Sequence, residues 1–462
     1  MNLEVGSAAI FGVAAAATFL VTFAVRRVAV GRGLIVMPDS GRMHKNPTPT
    51  AGGVALAVGF AVAVVVAGQF GVFRADFLGS SSPAGVVLAV AVMGLLGLID
   101  DIRSVSPPAK VAGQVLAGMV LYFFGVTMTH FKVPFLPGYI VLSSSILPLV
   151  TALWVVGIAN AVNLIDGLDG LAAGVVAIAS GALCIYGIRL IDLRVLPPND
   201  LGPLIAAACC GICVGFLPHN FHRAKIFMGD TGAMILGLLM AAATMEIGGQ
   251  AATVYSGATY FFFAPLVVPF VILGVPILDT AFAVVRRTIR RTKVTERDLE
   301  HLHYRLMRLG HGHRRAVVLM WSWTLVLSAL VLYPTFYPRW NGVLPFAVVA
   351  LGVALVTVFR PRRTRHGELT PAPVLAETAE VSPDGPIGPE SGAARGGPAV
   401  LGTGVAVPTG GPRPPDPKKP QLDATHADHD PTAEEGLAGG APDAYRRAHR
   451  RRFARHHPPM RG

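Results

Sequence analysis

Long apolar runs alternate with short polar loops along most of this chain, and the alternation marks eleven candidate spans: 8–30, 51–68, 83–99, 111–126, 146–162, 171–188, 201–217, 232–245, 260–285, 316–333 and 343–359. Runs of this length with almost no charge are the signature of segments that cross a bilayer. Hydrocarbon offers backbone N–H and C=O groups no water, so each run is predicted to be a helix that pairs its own backbone. The fold class expected is all-α: a polytopic integral membrane protein of about eleven transmembrane helices. Pro265, Pro269 and Pro276 interrupt the long ninth run and predict a bend there. From Arg360 the pattern stops. Residues 1–360 are read as one membrane domain, and 361–462 as a disordered Pro/Gly-rich tail with a basic end, RRAHRRRFARHHPPMRG.

Charge gives the spans a direction. The first run lacks a basic leader, begins after Glu4 and carries Arg26 and Arg27 towards its C-terminal end, so it is read as a retained span whose N-terminus lies outside. With that start, the loops assigned to the inside hold roughly nineteen Lys and Arg residues and those assigned to the outside five. A shift of one span would destroy this asymmetry. The composition, 52% hydrophobic and 14% charged with a formal net charge of +12, fits an anionic membrane leaflet and argues against a nucleic-acid partner. Cys184, Cys209, Cys210 and Cys213 lie inside apolar runs at no metal-ligand spacing, and are read as small packing residues.

The same topology brings five carboxylates to the inner face: Asp100 and Asp101 in GLIDDIRS, Asp166 and Asp169 in NAVNLIDGLDG, and Asp230 in FMGDTG. An acid near lipid costs about 2.5–3.5 kcal/mol at a helix centre, so their concentration asks for a function. Asn160, Asn163, Asp166 and Asp169 recur every three residues and form a slowly drifting polar stripe on a helix. Neighbours such as Asp100 and Asp101 point about 100° apart on a helix and need a shared cation or a helix end to serve one site. Oxygen ligands next to phosphate chemistry favour Mg²⁺, with Mn²⁺ as a substitute, over zinc or copper. Asn220, His222, Arg223 and Lys225 make the loop before Asp230 polar and cationic. Lys45, with His44, stands in the first inward loop, where anionic headgroups would meet it. His301 and His303 in HLHYRLMRLGHGH suit hydrogen-bond donation to phosphate or a leaving group near neutral pH. His311 and His313 are read as ordinary polar residues.

In this order, DD, NxxNxxDGxDGL, FMGDTG and HxH on a multi-span chain resemble the bacterial polyprenyl-phosphate N-acetylhexosamine-1-phosphate transferases, the superfamily that includes phospho-N-acetylmuramoyl-pentapeptide translocase. The stretch D-L-E-H-L-H-Y-R-L is closer to the branch that transfers GlcNAc-1-phosphate from UDP-GlcNAc, with Tyr304 where that branch usually has a third histidine. The resemblance implies a bacterial plasma membrane, an active site at its cytoplasmic face, a cytoplasmic tail, and UDP-sugar and polyprenyl phosphate as substrates. A homodimer is a compatible assembly. It implies that Asp230, with Asp101, ligates Mg²⁺; that Asp100 and Asp101 place metal and lipid phosphate; and that Asn163, Asp166 and Asp169 support the nucleotide end. It also implies that Asn220 and Phe227 hold the uridine, that Lys110 meets nucleotide or phosphate, and that His301 and His303 contact diphosphate or sugar. Transfer of a different UDP-N-acetylhexosamine, or of phospho-N-acetylmuramoyl-pentapeptide, is the alternative within this chemistry. A secondary transporter using the Asp and Asn residues as an ion path, or a scaffold working through the tail, would be a different class.

Overall fold

The computed structural model describes residues 2–36, 47–131, 140–249, 306–307, 311–337 and 343–359. Within them lie eleven helices: α1 Leu3–Gly31, α2 Gly52–Ala67, α3 Arg74–Gly79, α4 Ser82–Ile102, α5 Pro107–Phe123, α6 Leu147–Ile165, α7 Leu171–Asp192, α8 Gly202–Asn220, α9 Gly229–Gly249, α10 His313–Phe336 and α11 Val343–Phe359. Two short antiparallel pairs complete the secondary structure, β1 Ile35–Val36 with β2 Thr48–Pro49 and β3 His130–Phe131 with β4 Ile140–Val141. All the predicted spans but one coincide with a helix. The ninth, 260–285, lies outside the described residues, as do Lys45, His301, His303 and the tail.

Seven of the described helices are long and apolar enough to cross a membrane. Their packing sorts them by composition. Helix α9 is rich in Ala, Gly, Leu and Met, has no polar stripe and is buried along its length, so it forms the centre of the bundle. Helices α2, α4, α6, α7 and α8 pack directly against it. Small side chains allow this approach where lipid supplies no hydrophobic drive for helices to associate. The rim helices turn large apolar side chains outward, including Leu20 and Val28 on α1, Leu95 on α4, Leu153 on α6 and Leu351 on α11. Such an apolar outer surface suits acyl chains.

One end of the bundle gathers the C-termini of α4, α6 and α8 with the N-termini of α2, α5, α7, α9 and α10. Backbone bonds tie it: Gly52 N–H donates to Phe227 O at 2.9 Å, Gly53 N–H to Met228 O at 2.8 Å and Phe227 N–H to Pro49 O at 2.9 Å. Gly53 is needed for this seam, because a Cβ there would lie 2.2 Å from the backbone nitrogen of Gly232. Helix ends leave four backbone donors or acceptors unpaired each, so this end presents both kinds in one place.

Candidate active site

Helix α4 runs three residues past its predicted end and takes Asp100 and Asp101 with it. The two side chains diverge as helical neighbours should, yet they reach the same residue from different sides. Asp101 turns to the start of α9. One oxygen accepts from Asp230 N–H at 2.9 Å; the other accepts from Thr231 N–H at 3.2 Å and from the Thr231 hydroxyl at 2.6 Å. It thereby satisfies orphan amides of α9's first turn and meets the positive end of that helix dipole. Gly229 makes room: its φ is +71°, and a Cβ there would lie 2.4 Å from an Asp101 carboxylate oxygen.

Asp100 turns instead to the side chain of Asp230. One of its oxygens accepts from Val105 N–H at 2.8 Å, and the other pairs with Lys110 Nζ at 2.7 Å. Lys110, in the first turn of α5, also bridges to Asp230 Oδ2. Asp230 Oδ1 accepts from the Asn163 amide at 3.1 Å. The family resemblance joins Asp101 to Asp230 as metal ligands. The structure commits Asp101 to the backbone of α9 and places Asp100 beside Asp230 around a shared cation. The physical reason is the direction of α9, whose N–H groups are the nearest donors to Asp101.

Asp166 stands at the C-cap of α6, where the helix dipole disfavours a negative charge. Among the described residues, no donor meets its carboxyl. Burial first, and then the charges of Asp230, Asp101 and Asp169, push its pKa up to about 8. A divalent cation would reverse this by compensating all four acids at once. The donor set fits a hard cation: it is oxygen only, one carboxyl is unengaged, and a lysine ammonium already sits between two others.

Asn160, earlier on the stripe, donates to Gln114 Oε1 at 2.8 Å and so links α6 to α5 below the acids. Asp169 lies beside the α8–α9 loop and accepts from Ala224 N–H at 3.1 Å.

Asn220 lies inside the fold at this end. It is 2% exposed; its carbonyl accepts from Gly170 N–H at 3.0 Å and its amide donates to Ile226 O at 3.0 Å. Each end of the side chain is engaged, so it ties the DGLDG turn to the FMGDTG loop from a buried position. Phe227, whose backbone continues the β2 edge, remains partly exposed at the same end. His222 and His313, which sequence spacing does not single out, stand next to Asp169.

The sequence profile described as Glycosyl transferase family 4 matches residues 83–248. The decaprenyl-phosphate N-acetylglucosaminephosphotransferase of Mycolicibacterium smegmatis is 37% identical over 368 residues, covering 78% of this chain and 89% of that protein. A Bacillus subtilis protein named "Probable undecaprenyl-phosphate N-acetylglucosaminyl 1-phosphate transferase" is 33% identical over 315 residues, covering 68% and 81% respectively. The phospho-N-acetylmuramoyl-pentapeptide-transferase of Desulforudis audaxviator is 35% identical over 351 residues, covering 69% and 96%.

Proposed function

The chain belongs to glycosyl transferase family 4, and we propose from that premise that it transfers N-acetylglucosamine 1-phosphate from UDP-N-acetylglucosamine to a polyprenyl phosphate. An oxygen of the lipid phosphate attacks the sugar-bearing phosphorus, the bond from that phosphorus to UMP breaks, and a polyprenyl diphospho-N-acetylglucosamine remains in the membrane. The observation that carries this reading is the convergence of Asp100, Asp166 and Asp230 with Lys110 at one end of membrane-length helices. There a soluble nucleotide sugar and a lipid headgroup can meet. A transporter would hold its polar site near the middle of the membrane, whereas these acids sit at helix ends. The basic loops support a cytoplasmic setting for that end.

Phosphoryl transfer asks a protein chiefly for positioning and charge neutralisation. Asp100, Asp166 and Asp230 are the residues that would hold Mg²⁺, which when bound would neutralise the diphosphate and the departing UMP. Lys110 is the second cation; its flexible ammonium can leave the carboxylates for phosphate oxygens as substrate arrives. Asn163 orients the Asp230 carboxylate through its amide. Asp101 fixes the first turn of α9, so the Asp230 side chain enters the site from a rigid support. The lipid phosphate is largely ionised near neutral pH, so no side chain need deprotonate it.

Membranes containing the protein should release UMP from UDP-N-acetylglucosamine only when polyprenyl phosphate and Mg²⁺ are both supplied. Release without the lipid, or full activity in Asp230→Asn, would contradict the reading. Mass spectrometry of the lipid product made from mixed UDP-sugars identifies the sugar.

A further inference from the structure

Beside the oxygen-only acid cluster lies a second group of different chemistry. Asp169 in the α6–α7 loop, His222 just after α8 and His313 at the first position of α10 each place one ligand atom within 4.8 Å of the others. His222 Nδ1 is 3.8 Å from Asp169 Oδ2. The two imidazoles face each other with centroids 4.7 Å apart and planes tilted by 37°. Each ring keeps a buried nitrogen with no hydrogen-bond partner, Nδ1 of His222 and Nε2 of His313. A buried polar atom left unpaired is costly, and one of the two, His222 Nδ1, lies beside the Asp169 carboxylate.

We propose that Asp169, His222 and His313 form a binding site for a borderline divalent cation of the zinc class, separate from the Mg²⁺ chemistry of the acid cluster. Two imidazole nitrogens and one carboxylate oxygen are the donor set such ions prefer, and Mg²⁺ is a poor occupant of a nitrogen-rich site. In a tetrahedral zinc centre the ligand atoms lie about 3.3 Å apart, as bond lengths near 2.0–2.1 Å require. Loading therefore draws the three side chains together by about 1.5 Å at most, within the reach of χ rotations. Three protein ligands leave the fourth position open. The ion would cross-link three stretches far apart in sequence: the turn that follows Asp166, the loop that leads to Asp230, and the start of α10. It would thus hold α10 against the catalytic end through a bond neither substrate supplies.

The test uses the purified full chain in nanodiscs, stripped with chelator and held in millimolar Mg²⁺ to saturate the oxygen ligands. Titration with Co²⁺ should give one equivalent with the visible ligand-field absorption of a low-coordinate nitrogen/oxygen site, displaced by Zn²⁺. His222→Asn and His313→Gln should each weaken Co²⁺ binding at least about 100-fold, while Asp230→Asn retains it. No stoichiometric Co²⁺ binding, or binding unchanged in both histidine variants, overturns the site. Should those variants fail to fold, the unmodified protein loaded with Cu²⁺ decides: imidazole nitrogen coupling in its electron paramagnetic resonance spectrum is expected, and its absence overturns the proposal. None of these readouts depends on UMP release, so the site and the transferase reading fail separately.

Discussion

The two ends of the same bundle surround most of their carboxylates with different neighbours. At the catalytic end, Asp100, Asp101 and Asp230 are surrounded by donors: a lysine ammonium, an asparagine amide, a threonine hydroxyl and the first N–H groups of α9. At the far end, Asp76 in α3 and Asp200 before α8 are each 5% exposed, and Glu246 near the end of α9 is 4% exposed. Asp76 Oδ1 and Asp200 Oδ2 have no hydrogen-bond partner. Burial pushes Asp76 up to about 6, and burial with the charge of Asp76 pushes Asp200 up to about 6. The difference teaches what makes an acid functional here. Donors and a cation offset the cost of burial around Asp100, Asp101 and Asp230, while at the far end burial is only partly compensated and holds Asp76 and Asp200 above the ordinary carboxylate range. Acidity alone does not mark a site; the neighbours decide.

The largest effect expected on this comparison is from removing one charge at each end. Asp230→Asn should lower lipid-dependent UMP release by at least about 10²–10³-fold, whereas Asp76→Asn should leave it within about twofold because the sites are far apart. Equal losses would erase the distinction. Lys110→Met comes next. It removes the resident cation from Asp100 and Asp230, so turnover should fall by about tenfold or more while the Mg²⁺ concentration for half-maximal rate decreases. An increase would mean that Lys110 does not compete with the metal for those oxygens.

Gly229→Ala probes the support of the catalytic end. It forces a side chain into the left-handed region and against Asp101. The cost should be about 1–2 kcal/mol, seen as a fall in melting temperature of roughly 2–4 °C per kcal/mol, with activity lost beyond the loss of folded protein.

The smallest effect belongs to the far end. Asp76 and Asp200 titrate near 6 in the folded chain, above the value near 3.8 of an exposed aspartate. The folded state therefore holds the extra protons. Their contribution to stability is complete below about pH 4 and is lost as pH rises through 6. Asp76→Asn and Asp200→Asn should raise the melting temperature at pH 8, by less at pH 5, and change it little below about pH 4. In the second variant the side-chain amide carbonyl would keep the Gly202 N–H bond that Asp200 now accepts at 2.8 Å. A gain below about pH 4 that vanishes at pH 8 would reverse the assignment.

The helices were legible because lipid leaves the backbone no alternative to pairing itself, so an apolar run is close to a structural instruction. The 51–68 run became Gly52–Ala67 on that basis. Boundaries failed where polar residues carry the helix onward. The runs 83–99 and 232–245 stopped short of Ser82–Ile102 and Gly229–Gly249 because acids and glycines look like loop, while the pairing of Asp101 with Thr231 keeps both helices wound. Residue types at the site were legible too, but not their partners. Lys110 meets Asp230 across 120 residues, and which of two adjacent aspartates takes the lysine depends on where α9 points. Asn220 enters through the resemblance as a uridine contact, and its tie between two loops becomes visible only when they fold together. His222 and His313 carry no readable spacing, since three separate segments must fold before they face Asp169.

The central claim is that Asp100, Asp166 and Asp230 share one hard divalent cation at the lipid–water boundary. Mn²⁺ binding to the purified protein, followed by electron paramagnetic resonance with Mg²⁺ as competitor, tests it most directly. One equivalent displaced by Mg²⁺, lost in Asp230→Asn and retained in Asp76→Asn, is the expected result. Mg²⁺-competed Mn²⁺ that binds Asp230→Asn as tightly as the unmodified chain would contradict it.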